Sequence, residues 1–108
     1  PYDEAAIAQH VAAGKPVFVD FTAAWCVSCQ GNKRLVLHSD ATMQAFERAG
    51  VALMRADWTN RDARITEALG KLGRNGVPVY LLIRPGQEPL LLPEILTGRL
   101  VTDALATL

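Results

Sequence analysis

Helix and strand patterns alternate along the 108 residues and predict an α/β fold, a mixed four-stranded sheet with helices on both faces. Three observations carry that prediction. The apolar runs at residues 16–21 and 51–57 are separated by helical sequence, so they form a βαβ unit with parallel strands and a right-handed crossover. A Pro85-Gly86 turn joins the runs at 79–84 and 90–92, which therefore pair as an antiparallel hairpin. Half of the residues are hydrophobic, enough for one core in a single domain spanning 1–108.

Residues 3–13 read as the first helix: Asp3 can cap it, Glu4 suits the first turn and Gly14 ends it. Ile7 and Val11 are four apart and should face the core. The first strand, Pro-Val-Phe-Val-Asp-Phe at 16–21, is apolar apart from Asp20. Residues 22–25 form a loop, and a helix follows from Cys26 to Leu37. Gly31 inside that helix costs about 1 kcal/mol relative to alanine. Ser39 or Asp40 caps the next helix, which turns Met43 and Phe46 inward and closes at Gly50. The second strand occupies 51–57, and 57–60 make a loop. Residues 62–72 form a helix with Ile65, Ala68, Leu69 and Leu72 on one face. Gly73 and Gly76 bracket the turn into Pro78, ahead of the hairpin strands. A last helix spans 102–108.

Composition excludes several function classes. Eleven basic and eleven acidic residues cancel, so charge gives no case for nucleic acid or an anionic membrane surface. No apolar run approaches the roughly 18–20 residues of a membrane span, so no direct insertion is expected. The chain opens at Pro1 with no signal-peptide pattern, which suggests a piece of a longer protein. A monomer is the default expectation.

Cys26 and Cys29 are the only cysteines, and they stand three apart where a strand hands over to a helix. That layout suits reversible thiol–disulfide chemistry. The first sulfur lies at a helix start, and the second lies about one turn later, within reach of a small disulfide ring. A buried structural disulfide is the competing explanation. A zinc site would need two more ligands, and His10 and His38 lack the required spacing. Haem attachment would need a histidine at position 30, which is Gln30.

Asp20 is an acid in a strand that otherwise reads as core, six residues before Cys26. Strand geometry sets it beneath the cysteines, where burial would raise its pKa. There it could accept a proton from Cys29, directly or through water. An edge position reaching solvent is the alternative. Val27 and Ser28 bring no positive charge between the cysteines. A less stabilised thiolate makes a better reductant, so the pair is expected to be reducing. Trp25 either shields the sulfurs and offers an apolar contact or simply packs. Trp58 reads as core or loop support. Lys33 and Arg34 read as a solvated helix face, with Lys33 able to tune the site electrostatically.

The run Val19-Asp20-Phe21-Thr22-Ala23-Ala24-Trp25-Cys26-Val27-Ser28-Cys29 resembles the active-site segment of thioredoxin-fold proteins. Gly76-Val77-Pro78 resembles their cis-proline loop, and the element order is similar over nearly the whole chain. Cys-Val-Ser-Cys, Ala-Asp-Trp-Thr at 56–59 and Leu-Pro-Glu-Ile-Leu-Thr at 92–97 look like the C-terminal periplasmic domain of DsbD-type thiol:disulfide interchange proteins.

The resemblance implies Cys26 as nucleophile, Cys29 as resolving thiol and Asp20 as proton acceptor. It implies substrate contacts at Trp25, Val77 and a cis Pro78, against an ordinary trans proline opening a strand. It implies no cofactor beyond the Cys26–Cys29 redox disulfide. The partners it implies are protein disulfides and dithiols, namely the membrane-embedded and N-terminal domains of the same protein. Electrons would originate from cytoplasmic thioredoxin, and the location would be the periplasmic side of the bacterial inner membrane. One departure stands out: many relatives carry an acid about one turn past the second cysteine, where this chain reads Gln30-Gly31-Asn32-Lys33-Arg34. Two other readings remain: a stand-alone thioredoxin or isomerase-like protein, and a thioredoxin-fold module for metal carriage or chaperoning.

Overall fold

The computed structural model describes residues 1–108. Four strands form one sheet: β1 (Val17–Thr22), β2 (Ala52–Asp57), β3 (Val79–Ile83) and β4 (Leu90–Leu92), in the order β2-β1-β3-β4. β1 and β2 run parallel, and β3 runs antiparallel to both β1 and β4. The βαβ unit and the hairpin therefore stand as the sequence predicts.

Alternation along the strands sorts residues onto two faces. Val17, Val19, Phe21, Val79 and Leu81 pack against Ala56, Trp58, Ile65 and Leu69. The helices on that side are α1 (Glu4–Ala12) and α4 (Ala63–Lys71). Phe18, Tyr80, Leu82 and Leu92 face the other way, against Val36, Leu37, Phe46, Leu96, Val101 and Ala104. That side is covered by α2 (Val27–Asn32) with a π-helical turn (Lys33–Leu37), α3 (Asp40–Ala49) and α5 (Gly98–Leu105).

The caps follow from residue chemistry. Asp3 and Asp62 accept first-turn amides of α1 and α4, and Ser39 Oγ accepts the Thr42 N–H at the start of α3. Gly50 ends α3 with φ 67°, in the left-handed region that glycine enters without a Cβ penalty.

Four expectations need correction. The long helix from Cys26 turns π-helical at Lys33–Leu37, which brings both Val36 and Leu37 into the core. Met43 is exposed rather than inward, because Phe46 and Thr42 fill the buried side of α3. Ile7 packs against the core as expected, but Val11 is only half-buried and α1 buries no residue completely. The last helix starts at Gly98, four residues early, because the Thr97 hydroxyl accepts the Leu100 N–H at 3.1 Å and caps it there. It also ends at Leu105, short of 108.

Candidate active site

The cysteines sit where β1 gives way to α2, at the C-terminal end of the parallel pair, where open α/β sheets gather their sites. Cys26 is the N-cap of α2, and its sulfur accepts the Cys29 N–H at 3.2 Å. The two cysteines are joined in a disulfide, with their Cα atoms 5.2 Å apart. Both cysteines are buried, Cys26 at 7% exposure and Cys29 at 2%. Both pack with Ala23, and Val77 lies against the group. The Val77–Pro78 peptide bond is cis, and Pro78 is buried. No cluster of three or more His, Cys, Asp or Glu side chains is placed to hold a metal ion.

Asp20 lies on the α2 side of the sheet in a row with its register partners, Arg55 on β2 and Tyr80 on β3. Its carboxylate makes no hydrogen bond or ion pair within the protein, yet neither oxygen is sealed from solvent. It borders a recess of about 380 Å³ that Phe18, Leu37, His38, Phe46 and Arg55 also line. Burial pushes the Asp20 pKa up to about 6, against the opposing pull of Arg55 and then Lys33. Lys33 and Arg55 also line a second recess of about 200 Å³ beside Thr22, Ala23 and Ala24. Lys33, one turn past Cys29, thus lowers the Asp20 pKa, as a cation there should.

Two sets of contacts fix the active-site segment, and sequence reasoning missed both. Asn32 of α2 is buried, and its amide donates to the Tyr80 hydroxyl at 2.9 Å and to the Glu94 carbonyl at 2.8 Å. Its side-chain oxygen accepts the Leu96 N–H at 3.1 Å. The 92–97 motif is thereby tied to the catalytic helix. Burial raises the Tyr80 pKa to about 12, with Asn32 opposing and the charges of Asp20 and Glu94 adding.

On the other side, Thr59 Oγ1 accepts the Ala24 N–H at 2.9 Å, and the Thr59 carbonyl accepts the Trp25 indole N–H at 3.0 Å. Asp57 accepts the Thr59 hydroxyl and amide, and these bonds hold its pKa below the usual carboxylate value. The contacts that hold Trp25 therefore run to the 57–61 loop, and its ring is half exposed. Trp58 is buried and donates to Thr66 Oγ1 at 2.8 Å, which makes it loop support within the core.

A strand-to-helix disulfide opposite a cis-proline loop on this sheet is shared with known proteins. The chain belongs to the thioredoxin-like family, whose model matches residues 2–85. Over 85 residues it is 38% identical to the thiol:disulfide interchange protein DsbD 1 of Pseudomonas aeruginosa, covering 79% of this chain and 14% of that protein. It is 37% identical over 89 residues to DsbD of Yersinia enterocolitica, covering 82% of this chain and 15% of that one. The chain thus spans about one-seventh of the length of these relatives. Its fold superimposes on the reduced C-terminal domain of Neisseria meningitidis DsbD with a TM-score of 0.73 at 21% identity, over 97% of this chain and 96% of that one.

Proposed function

We propose that this thioredoxin-like domain is a protein thiol–disulfide oxidoreductase working as a reductant. It belongs to a longer membrane-anchored protein on the periplasmic side of a bacterial inner membrane. In this reading it receives electrons from a membrane-embedded dithiol and passes them to disulfides of periplasmic protein domains. The observation that carries the reading is the Cys26–Cys29 disulfide, with Cys26 on the N-cap of α2 and the partly buried Asp20 in the preceding strand β1.

In the reduced domain the Cys26 thiolate attacks one sulfur of a partner disulfide. That S–S bond breaks, the leaving sulfur takes up a proton, and a mixed disulfide joins the proteins. The Cys29 thiol then gives its proton to Asp20, directly or through water. Its sulfur attacks Cys26, and the partner leaves with its second thiol. Counting the proton that Cys26 gave to solvent on forming its thiolate, two electrons and two protons have left the domain, and the partner's two leaving sulfurs take their protons from solvent; the domain is left as the disulfide. A pKa near 6 suits Asp20 to take and release that proton near neutral pH.

Electrostatics support the direction. A carboxylate beneath the pair disfavours a neighbouring thiolate, and no cation stands between the cysteines. A destabilised thiolate form makes the dithiol more reducing. Arg55 and Lys33 moderate this effect through Asp20. Val77 lies against the disulfide and takes part in none of the backbone bonds of the turns and loops, leaving its peptide groups for an extended partner segment.

The test is trapping. Cys29→Ala should accumulate a mixed disulfide through Cys26, and mass spectrometry of the adduct identifies the partner. Adducts that form only with Cys26→Ala would reverse the roles of the two sulfurs.

A further inference from the structure

The Ala-Asp-Trp-Thr motif and the loop after it have no part in the exchange chemistry above, yet they build a defined feature beside it. The Trp25 and Trp58 rings meet at a centroid distance of 6.0 Å and an angle of 54°. The Arg61 guanidinium lies over both, 5.1 Å from the Trp25 centroid and 4.9 Å from that of Trp58. Both distances fall within cation–π range. Each indole is fixed by its own N–H bond, Trp25 to Thr59 and Trp58 to Thr66. Arg61 itself is held at φ 53°, an uncommon region for a residue other than glycine, and its N–H donates to the Trp58 carbonyl at 2.9 Å.

The guanidinium carbon lies near both ring centroids, and no hydrogen bond within the protein takes up its N–H groups. Arg61 forms no ion pair: the two in the structure join Lys71 to Glu67 and Arg99 to Asp103. Its acidic neighbours in the loop are otherwise engaged, Asp57 with Thr59 and Asp62 with the first amides of α4. A rigid, exposed and unpaired guanidinium thus stands on the ring of the residue that precedes Cys26. A planar fork of this kind is suited to bidentate pairing with a carboxylate.

We propose that Arg61, seated on Trp25 and Trp58, recognises a carboxylate side chain of the partner polypeptide close to its redox cysteine. This makes Arg61 a specificity residue for the exchange, and it rests on the oxidoreductase reading. A structural staple would not need the charge, because hydrogen bonds already hold both indoles.

The test uses the reduced full chain and three disulfide-looped peptides that differ only in Glu, Gln or Lys beside the cysteine. Second-order exchange rates are measured at low ionic strength. The Glu peptide should react fastest and the Lys peptide slowest, with about a fivefold span between them, the upper range for an exposed charge pair. High salt should compress that span. Arg61→Lys should keep the order with a smaller span, Arg61→Gln should flatten it, and Arg61→Glu should invert it. A loosened loop slows all three peptides together and cannot invert their order. An unchanged order in Arg61→Gln and Arg61→Glu overturns the proposal while leaving the exchange chemistry standing. Failure of the wild-type chain to reduce any of the peptides overturns the oxidoreductase reading, and this one with it.

Discussion

Replacing Asp20 with asparagine should make the protein more stable and a poorer resolver of mixed disulfides. The pKa of Asp20 rises from an ordinary 3.8 to about 6 in the folded chain, mainly through burial. Each decade of proton affinity is worth about 1.36 kcal/mol, so the ionised carboxylate destabilises the fold by up to about 3 kcal/mol. The sign follows from the proton count. Between pH 3.8 and 6 the native state holds the proton more tightly than the unfolded chain does. The penalty is therefore absent below about 3.8, grows through that window and is complete above about 6. Asparagine nearly matches protonated aspartate in shape and carries no charge. Urea unfolding of the oxidised protein and of Asp20→Asn at pH 7.5 and pH 4 measures the difference. The variant should gain up to about 3 kcal/mol at the higher pH and little at the lower. Equal stabilities at pH 7.5, or the same gain at both pH values, would refute the argument.

Two further outcomes follow from the packing. Asn32→Leu removes three hydrogen bonds and strands the Leu96 N–H and the Glu94 carbonyl, so urea unfolding should show a loss of about 2–4 kcal/mol. Glycines with open space around them should respond oppositely according to backbone: Gly31→Ala, helical, should stabilise by about 0.5–1 kcal/mol. Gly50→Ala, at φ 67°, should lower the thermal midpoint.

The parts of the fold that were legible in the sequence share a local signal. The βαβ unit and the hairpin follow from the lengths and turn chemistry of the connections. Asp20 announced itself as one acid in an apolar strand, and the cysteine pair as a spacing. The geometry at Pro78 was suggested only by family resemblance, since Val-Pro before a strand fits either isomer. Asn32 was hidden because it sits in Gln-Gly-Asn-Lys-Arg, which reads as solvated, and its partners lie 48, 62 and 64 residues away. Arg61 was hidden for the same reason: its rings come from Trp25 and Trp58, which only the fold brings together. The π-helical turn has no residue signature, and Gly98 obscured the start of the last helix until Thr97 proved to be its cap.

Asp20 also favours the proposed exchange role over a purely structural disulfide. An acid has a structural role when it caps a helix, pairs with a cation or accepts backbone amides, as the exposed Asp3, Asp62 and Asp57 do here in hydrogen bonds. Asp20 does none of these: it has no hydrogen-bond partner, and its neighbour Arg55 makes no ion pair with it. The residues beside it on the same face, Phe18 and Tyr80, are core residues, and an uncharged side chain in its place would raise stability. A disulfide kept only as a cross-link has no use for a nearby group that titrates near pH 6. A dithiol whose resolving thiol must give up its proton on each turnover does, and local instability of this kind is found where chemistry rather than folding sets the residue. The half-buried, unpaired carboxylate of Asp20 thus supports the proposal that Cys26 and Cys29 exchange their bond.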